Sequence, residues 1–115
     1  MAYDEALVDR VRQQLAGLGL ERLTEQRMFG GLAFLVSGSM AVAVSGSASG
    51  GGLMVRVARD DTERLLDLPG TAPMIMRERP MAGWLRVAVD AVRTDDALAP
   101  WVRRGAEYAR SLPPK

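Results

Sequence analysis

The chain has 115 residues, of which 48% are hydrophobic and 25% charged, with 15 Lys+Arg against 14 Asp+Glu for a net charge of +1. That length suits one domain, residues 1–115, and the balanced, interleaved charge argues against tight non-specific binding to nucleic acid. With no Cys and no His, disulfides, thiolate nucleophiles, Cys/His zinc sites and imidazole acid–base chemistry are excluded.

The first element is a helix. Leu7, Val8, Val11, Leu15 and Leu18 recur at spacings of three to four, one stripe of a 3.6-residue period. Asp4 and Glu5 lie in or before its first turn, where the helix dipole favours acids. The acidic, amphipathic start is not a signal peptide, and no apolar run approaches the roughly 20 residues of a membrane span. A cytoplasmic protein is expected.

From Arg27 the period changes to two. Arg27 to Val36 (RMFGGLAFLV) reads as one strand with Gly30 and Gly31 inside it, an arrangement that marks a bend, a bulge or a close approach by another element. Ser37-Gly38 is a tight turn into a second strand, Met40 to Val44. SGSASGGG, Ser45 to Gly52, is a glycine-rich connection. It lacks the G-K-[ST] ending of a phosphate loop and precedes a strand, so it reads as a hairpin loop. Leu53 to Ala58 is the third strand. Asp60 or Asp61 caps a short helix through Leu66. Met74 to Met76 and Leu85 to Val89 are two further strands joined by RERPMAG. Asp95 or Asp96 caps a last helix with the inner stripe Leu98, Trp101, Val102, Gly105, Ala109 and Leu112.

The order α-β-β-β-α-β-β-α predicts an α+β fold, two layers with an antiparallel five-stranded sheet under helices. Alternation gives that sheet two unlike sides. Met40, Val42, Val44, Leu53, Val55, Val57, Leu85, Val87 and Val89 make an aliphatic side facing the helices. The other side mixes Ala41, Ala43, Met54, Arg56, Trp84, Arg86 and Ala88, too apolar for ordinary surface and too polar for a second core. In the first strand, Met28, Gly30, Leu32 and Phe34 share one side.

Most candidate chemistry reduces to structure. The methionines fall on or beside strands and read as core or adaptable contact surface. Asp60-Asp61 and Asp95-Asp96 sit where helices begin and read as caps. No metal or cofactor site is expected. Arg27, Arg56, Arg79, Trp84 and Arg86 form the candidate interaction surface, because Arg and Trp are enriched where proteins meet and Arg grips carboxylates and phosphates. Ser is present without a base to activate it, so no catalytic residues are expected.

The residues Arg27-Met28-Phe29-Gly30-Gly31, then Met40-Ala41, Leu53-Met54-Val55-Arg56-Val57, Arg79-Pro80-Met81, Gly83-Trp84 and the tail Ala109 to Lys115 resemble the TfoX N-terminal domain (TfoX/Sxy) family. Met28, Phe29, Gly30, Gly31, Met81 and Gly83 are its structural motif positions here. The resemblance implies an α+β fold, frequently a dimer, and no established catalytic residues. The best-known members are bacterial regulators of competence for DNA uptake that carry a second, helical domain. The present chain reads as a stand-alone single-domain member, with SGSASGGG longer than the family's usual hairpin. The expected function is therefore a non-enzymatic regulatory or protein-interaction domain, a homodimer that contacts the transcription machinery. The alternatives are direct nucleic-acid binding through the arginines, or a small-molecule or enzymatic pocket near Trp84.

Overall fold

A computed structural model describes residues 3–28, 30–46 and 50–113. Helix α1 (Glu5–Ala16) begins where the Asp4 carboxylate accepts a hydrogen bond from the Leu7 N–H at 3.1 Å, satisfying one of the orphan donors of a helix start. Its stripe Leu7, Val8, Val11 and Leu15 is buried, as the spacing predicts. Four strands follow: β1 (Leu23–Met28), β2 (Gly31–Val36), β3 (Ser39–Val44) and β4 (Leu53–Arg56). A 3-10 turn over Arg59–Asp61 leads into the short helix α2 (Thr62–Leu65). Then come β5 (Thr71–Met76), β6 (Arg79–Val87), a second 3-10 turn over Val89–Val92, and α3 (Asp95–Ser111). The strands form one antiparallel sheet in the order β1-β2-β3-β4-β6-β5.

The fold is α+β, but the sheet has six strands rather than five. The expected strand Arg27–Val36 is two strands: Met28 pairs with Gly31, so the chain reverses between them through Gly30 at φ +75°. Gly31 answers a different need. A Cβ on it would fall on the carbonyl oxygen of Val44 in the neighbouring strand, so glycine is what lets these backbones pair. Phe29 lies outside the described residues, as do positions 47–49 of the SGSASGGG connection. Ser37-Gly38 is the expected tight turn, with φ of 50° and 87°.

The RERPMAG connection is also mostly strand. The β5–β6 hairpin turns on Arg77-Glu78 alone, and β6 runs from Arg79. Pro80 is tolerated because β4 pairs only with Trp84 to Val87, so its missing N–H interrupts no ladder on that side. Two capping expectations change. Asp61 makes no capping bond to α2 and pairs with Arg64 instead. The N-cap of α3 is Thr94, whose hydroxyl accepts from the Ala97 N–H at 3.1 Å, with Asp95 and Asp96 in the first turn.

Helices α1 and α3 lie on one face of the sheet. The core between the layers joins Leu7, Val11 and Leu15 to Phe34, Val42, Val44, Leu53, Val55, Leu85 and Val87, and to Leu98, Trp101 and Val102 of α3. Each large aliphatic side chain buried there contributes on the order of 1.5–3 kcal/mol. α3 comes close to β3 at Gly105, where a Cβ would collide with the Ala41 carbonyl and stand 2.7 Å from Val42 Cγ1. Arg12 of α1 reaches the edge of the sheet, donating to both carboxylate oxygens of Glu25 at 2.7 and 2.8 Å.

Three side assignments are corrected. The β2–β3 ladder slips between Phe34 and Leu35, so that Phe34 pairs with Val42 and Leu35 with Met40. This bulge at Ala41 turns Met40 to the far side and Ala41 toward α3, where it is buried with Ala109. Met28 is on the far side with Ala33, not beside Leu32 and Phe34, because a turn separates the two strands. Val89 lies beyond β6 and is 42% exposed.

Candidate functional site

The face of the sheet turned away from α1 and α3 is built from the register. Successive antiparallel pairs bring Ala33 beside Ala43, Ala43 beside Met54, and Met54 beside Arg86. Ala33, Ala43 and Met54 are buried, with Met28, Leu35, Met40, Met74 and Trp84 packed around them. No helical residue joins this cluster among the described residues. All four methionines assigned to it are absent from the core under the helices, which is built from Leu, Val, Phe, Ala and Trp. The soft, unbranched side chains therefore sit on the face that no helix covers among the described residues, where conformational adaptability has a use.

One end of this face is aromatic and cationic. Arg56 pairs with Trp84 across the β4–β6 ladder. The Arg56 guanidinium carbon lies 5.4 Å from the Trp84 ring centroid and 5.6 Å from that of Tyr108 on α3, both within cation–π range. Arg86 stands on the next rung, opposite Met54, and donates from Nη2 to the Gly51 carbonyl at 3.4 Å. A recess of about 60 Å³ opens between Met28, Ala43, Met54, Met74 and Arg86. It accommodates part of one side chain, well below the roughly 300 Å³ at which small-molecule sites begin.

The five expected surface residues therefore divide. Arg56, Trp84 and Arg86 share the open face. Arg27 pairs with Leu32 and so belongs by register to the opposite side, exposed on edge strand β1. Arg79 is exposed at the β5–β6 hairpin, opposite Met76. Tyr108 is a partner that strand alternation does not reveal, because it comes from α3 outside that helix's buried stripe.

The motif residues Met81 and Gly83 lie to one side of this surface. Gly83, at φ +91°, donates its N–H to the Thr62 hydroxyl at 2.8 Å and accepts from the Val57 N–H at 2.9 Å. It thereby ties the irregular part of β6 to α2 and to the end of β4. Met81 lines a groove of about 600 Å³ with Arg59, Thr62, Leu66, Pro73 and Pro80. Among the described residues no three acidic side chains converge as a metal site would require, and no helix is long and apolar enough to cross a membrane.

The open face can therefore bury apolar surface and pair with negative charge. Among the described residues it brings together no nucleophile and base. A search of curated proteins found no match. The model of the TfoX N-terminal domain family matches residues 13–109, which takes in the end of α1, the whole sheet and most of α3, and the chain belongs to that family.

Proposed function

We propose that this chain is a non-enzymatic, cytoplasmic regulatory domain that works by binding another protein through the open face of its sheet. The observation that carries the reading is the apolar cluster around Ala33, Ala43 and Met54, bordered by the Arg56–Trp84 pair and Arg86, with no helical residue packed on it among the described residues. An aromatic and an arginine at the edge of a desolvated patch are the residue types that dominate binding energy in protein interfaces. Membership of the TfoX N-terminal domain family supports a role in competence or transcription control, with a component of the transcription machinery as the partner. Self-association as a homodimer is part of the same reading, and the chain acts in it as one domain, 1–115.

The test is a pull-down from the native host with tagged protein, with and without nuclease, beside the double variant Arg56→Glu, Trp84→Ala. A protein that survives nuclease and is lost in the variant supports the reading. Nuclease-sensitive capture would replace it with nucleic-acid binding, which the arginines of this face would serve and which added salt would weaken steeply. Equal capture by variant and wild type would show that this face is not the contact.

A further inference from the structure

The sheet ends in two unlike edges, β5 and β1. β5 is a poor template for a further strand: its ladder with β6 shifts between Pro73 and Ile75, and Pro73 has no N–H to offer. β1 pairs with β2 over Leu23–Met28 without a shift, and Thr24, Glu25, Gln26 and Arg27 are all exposed. The parity of its ladder fixes which backbone groups are open. The Ser37 N–H donates to the Arg22 carbonyl at 3.1 Å, one rung beyond the Leu23–Val36 pair. Hydrogen-bonded and non-hydrogen-bonded pairs alternate in an antiparallel ladder. Thr24 and Gln26 therefore turn their N–H and C=O groups toward β2, and Leu23, Glu25 and Arg27 turn theirs outward.

We infer, resting on the self-association in the reading above, that this edge receives β1 of a second copy of the chain, antiparallel, with Gln26 on the two-fold axis. Outward groups must meet outward groups, so a register sets one of Leu23, Glu25 and Arg27 opposite another. Glu25 opposite Glu25, or Arg27 opposite Arg27, would oppose like charges, which is destabilising. Glu25 opposite Arg27 of the second copy joins opposite charges, and the symmetry makes the same pair twice. Each of these pairs exchanges both of its N–H···O bonds. Charges usually protect an edge strand from another strand; here, carrying both signs, they select one register. Both side chains are on the helix side, Glu25 opposite Phe34 and Arg27 opposite Leu32. Among the described residues no hydrogen bond or ion pair engages the Arg27 side chain. Glu25 is held by Arg12 but its side chain is still 35% exposed, and a carboxylate has about four acceptor sites, so it can accept from a second arginine. Residues facing one side of β1 meet those facing the same side in the second copy. The helices of both copies then share one side of a continuous sheet, and the two open faces share the other, uncovered.

The chain has no Cys, so a single introduced thiol reports the register. In the pairing above, the two Gln26 residues form a non-hydrogen-bonded pair with Cα atoms about 4.5 Å apart, within the roughly 4.4–6.8 Å that a disulfide spans. The two Thr24 residues are roughly 13 Å apart, four positions out of register. Full-length Gln26→Cys and Thr24→Cys, both exposed on the same side of β1, are oxidised in a glutathione buffer and the disulfide-linked dimer is followed with time. Gln26→Cys is expected to cross-link at least about tenfold faster than Thr24→Cys. Adding Arg27→Glu, which sets two acids opposite each other, should bring it down to the Thr24→Cys rate. Equal rates for the two thiols, faster linking of Thr24→Cys, or indifference to Arg27→Glu would overturn the inference. Sedimentation of the wild type up to about 1 mM, where a weak dimer still forms, separates the two ways of failing. A dimer that cross-links only at the Thr24→Cys rate uses another surface, and self-association stands. A monomer throughout overturns self-association as well, and the open-face reading then rests on the pull-down alone.

Discussion

Arg56 and Trp84 face each other across the β4–β6 ladder with the guanidinium 5.4 Å from the ring centroid, and the same guanidinium is 5.6 Å from Tyr108 of α3. One arginine thus links the open face of the sheet to the helix layer at the end of β4. Cation–π pairs contribute about 0.5–2 kcal/mol according to how far they are desolvated. A double-mutant cycle of Arg56→Ala and Trp84→Ala in urea unfolding should return a coupling of about 0.5–1 kcal/mol. Arg56→Lys should keep the charge but lose part of the coupling, because the planar stack is gone. A cycle that closes to zero would mean the rings and the guanidinium are neighbours without mutual stabilisation.

Gly31 and Gly105 each hold a close backbone approach, one between strands and one between α3 and β3. In each case a Cβ would collide with a carbonyl oxygen rather than with a movable side-chain end. Gly31→Ala and Gly105→Ala should each destabilise by roughly 2 kcal/mol or more, since overpacking that forces backbone shifts costs at least about 1–3 kcal/mol. At Gly105 this should outweigh the helix-propensity gain of about 1 kcal/mol from Gly to Ala. Chemical denaturation measures both, and an unchanged midpoint for either would show that the backbone gives way freely.

The β5–β6 hairpin turns on two non-glycine residues in the left-handed region, Arg77 at φ 52° and Glu78 at φ 66°. Each costs roughly 1 kcal/mol relative to a residue suited to that geometry. Replacing Arg77-Glu78 by Asn-Gly, the pair favoured at two-residue turns, should raise stability by about 1 kcal/mol without altering the register. Thermal melts measure the gain. A loss would indicate that the Arg77 or Glu78 side chain makes a contribution larger than the backbone cost.

Hydrogen bonding from Arg12 holds the Glu25 carboxyl below its ordinary value, against an opposing contribution from desolvation. A carboxylate with a depressed folded pKa stabilises the fold above its unfolded value and loses that contribution as pH falls through the folded one. Glu25→Gln should therefore lower the melting temperature at neutral pH, and the gap to wild type should close below the ordinary carboxylate range. Salt should narrow it as well, because the pair is at the surface. A gap that persisted in acid would trace the effect to packing rather than charge.

The sequence makes some of this architecture plain and hides the rest for identifiable reasons. The stripe of α1 and the faces of β3 and β4 from Val42 onward follow from periodicity, because one side of each is buried under helices. β1 escapes because Thr24, Glu25, Gln26 and Arg27 are all exposed, and an edge strand wet on both sides has no alternation to read. The turn at Gly30 hides between two apolar runs that join smoothly. The bulge at Ala41 is invisible because Met40 and Ala41 are both apolar, so either can face either side. β6 was obscured by Pro80 and Gly83, which normally punctuate loops and here occupy the part of the strand that β4 does not reach. Of the candidate surface, Arg56, Trp84 and Arg86 emerge from alternation, whereas Tyr108 arrives through tertiary packing alone.

The central claim is that the open face, not the helical one, receives the partner. The two tryptophans are on opposite sides: Trp101 is buried under the helices at 5% exposure, and Trp84 is part of the open-face cluster. Two single-tryptophan forms, Trp101→Phe and Trp84→Phe, would be titrated with the protein recovered in the pull-down while tryptophan emission is followed. The account predicts a blue shift from Trp84 as water is excluded and an unchanged signal from Trp101. A shift of Trp101 with Trp84 unaffected would contradict it and move the contact to the helical side.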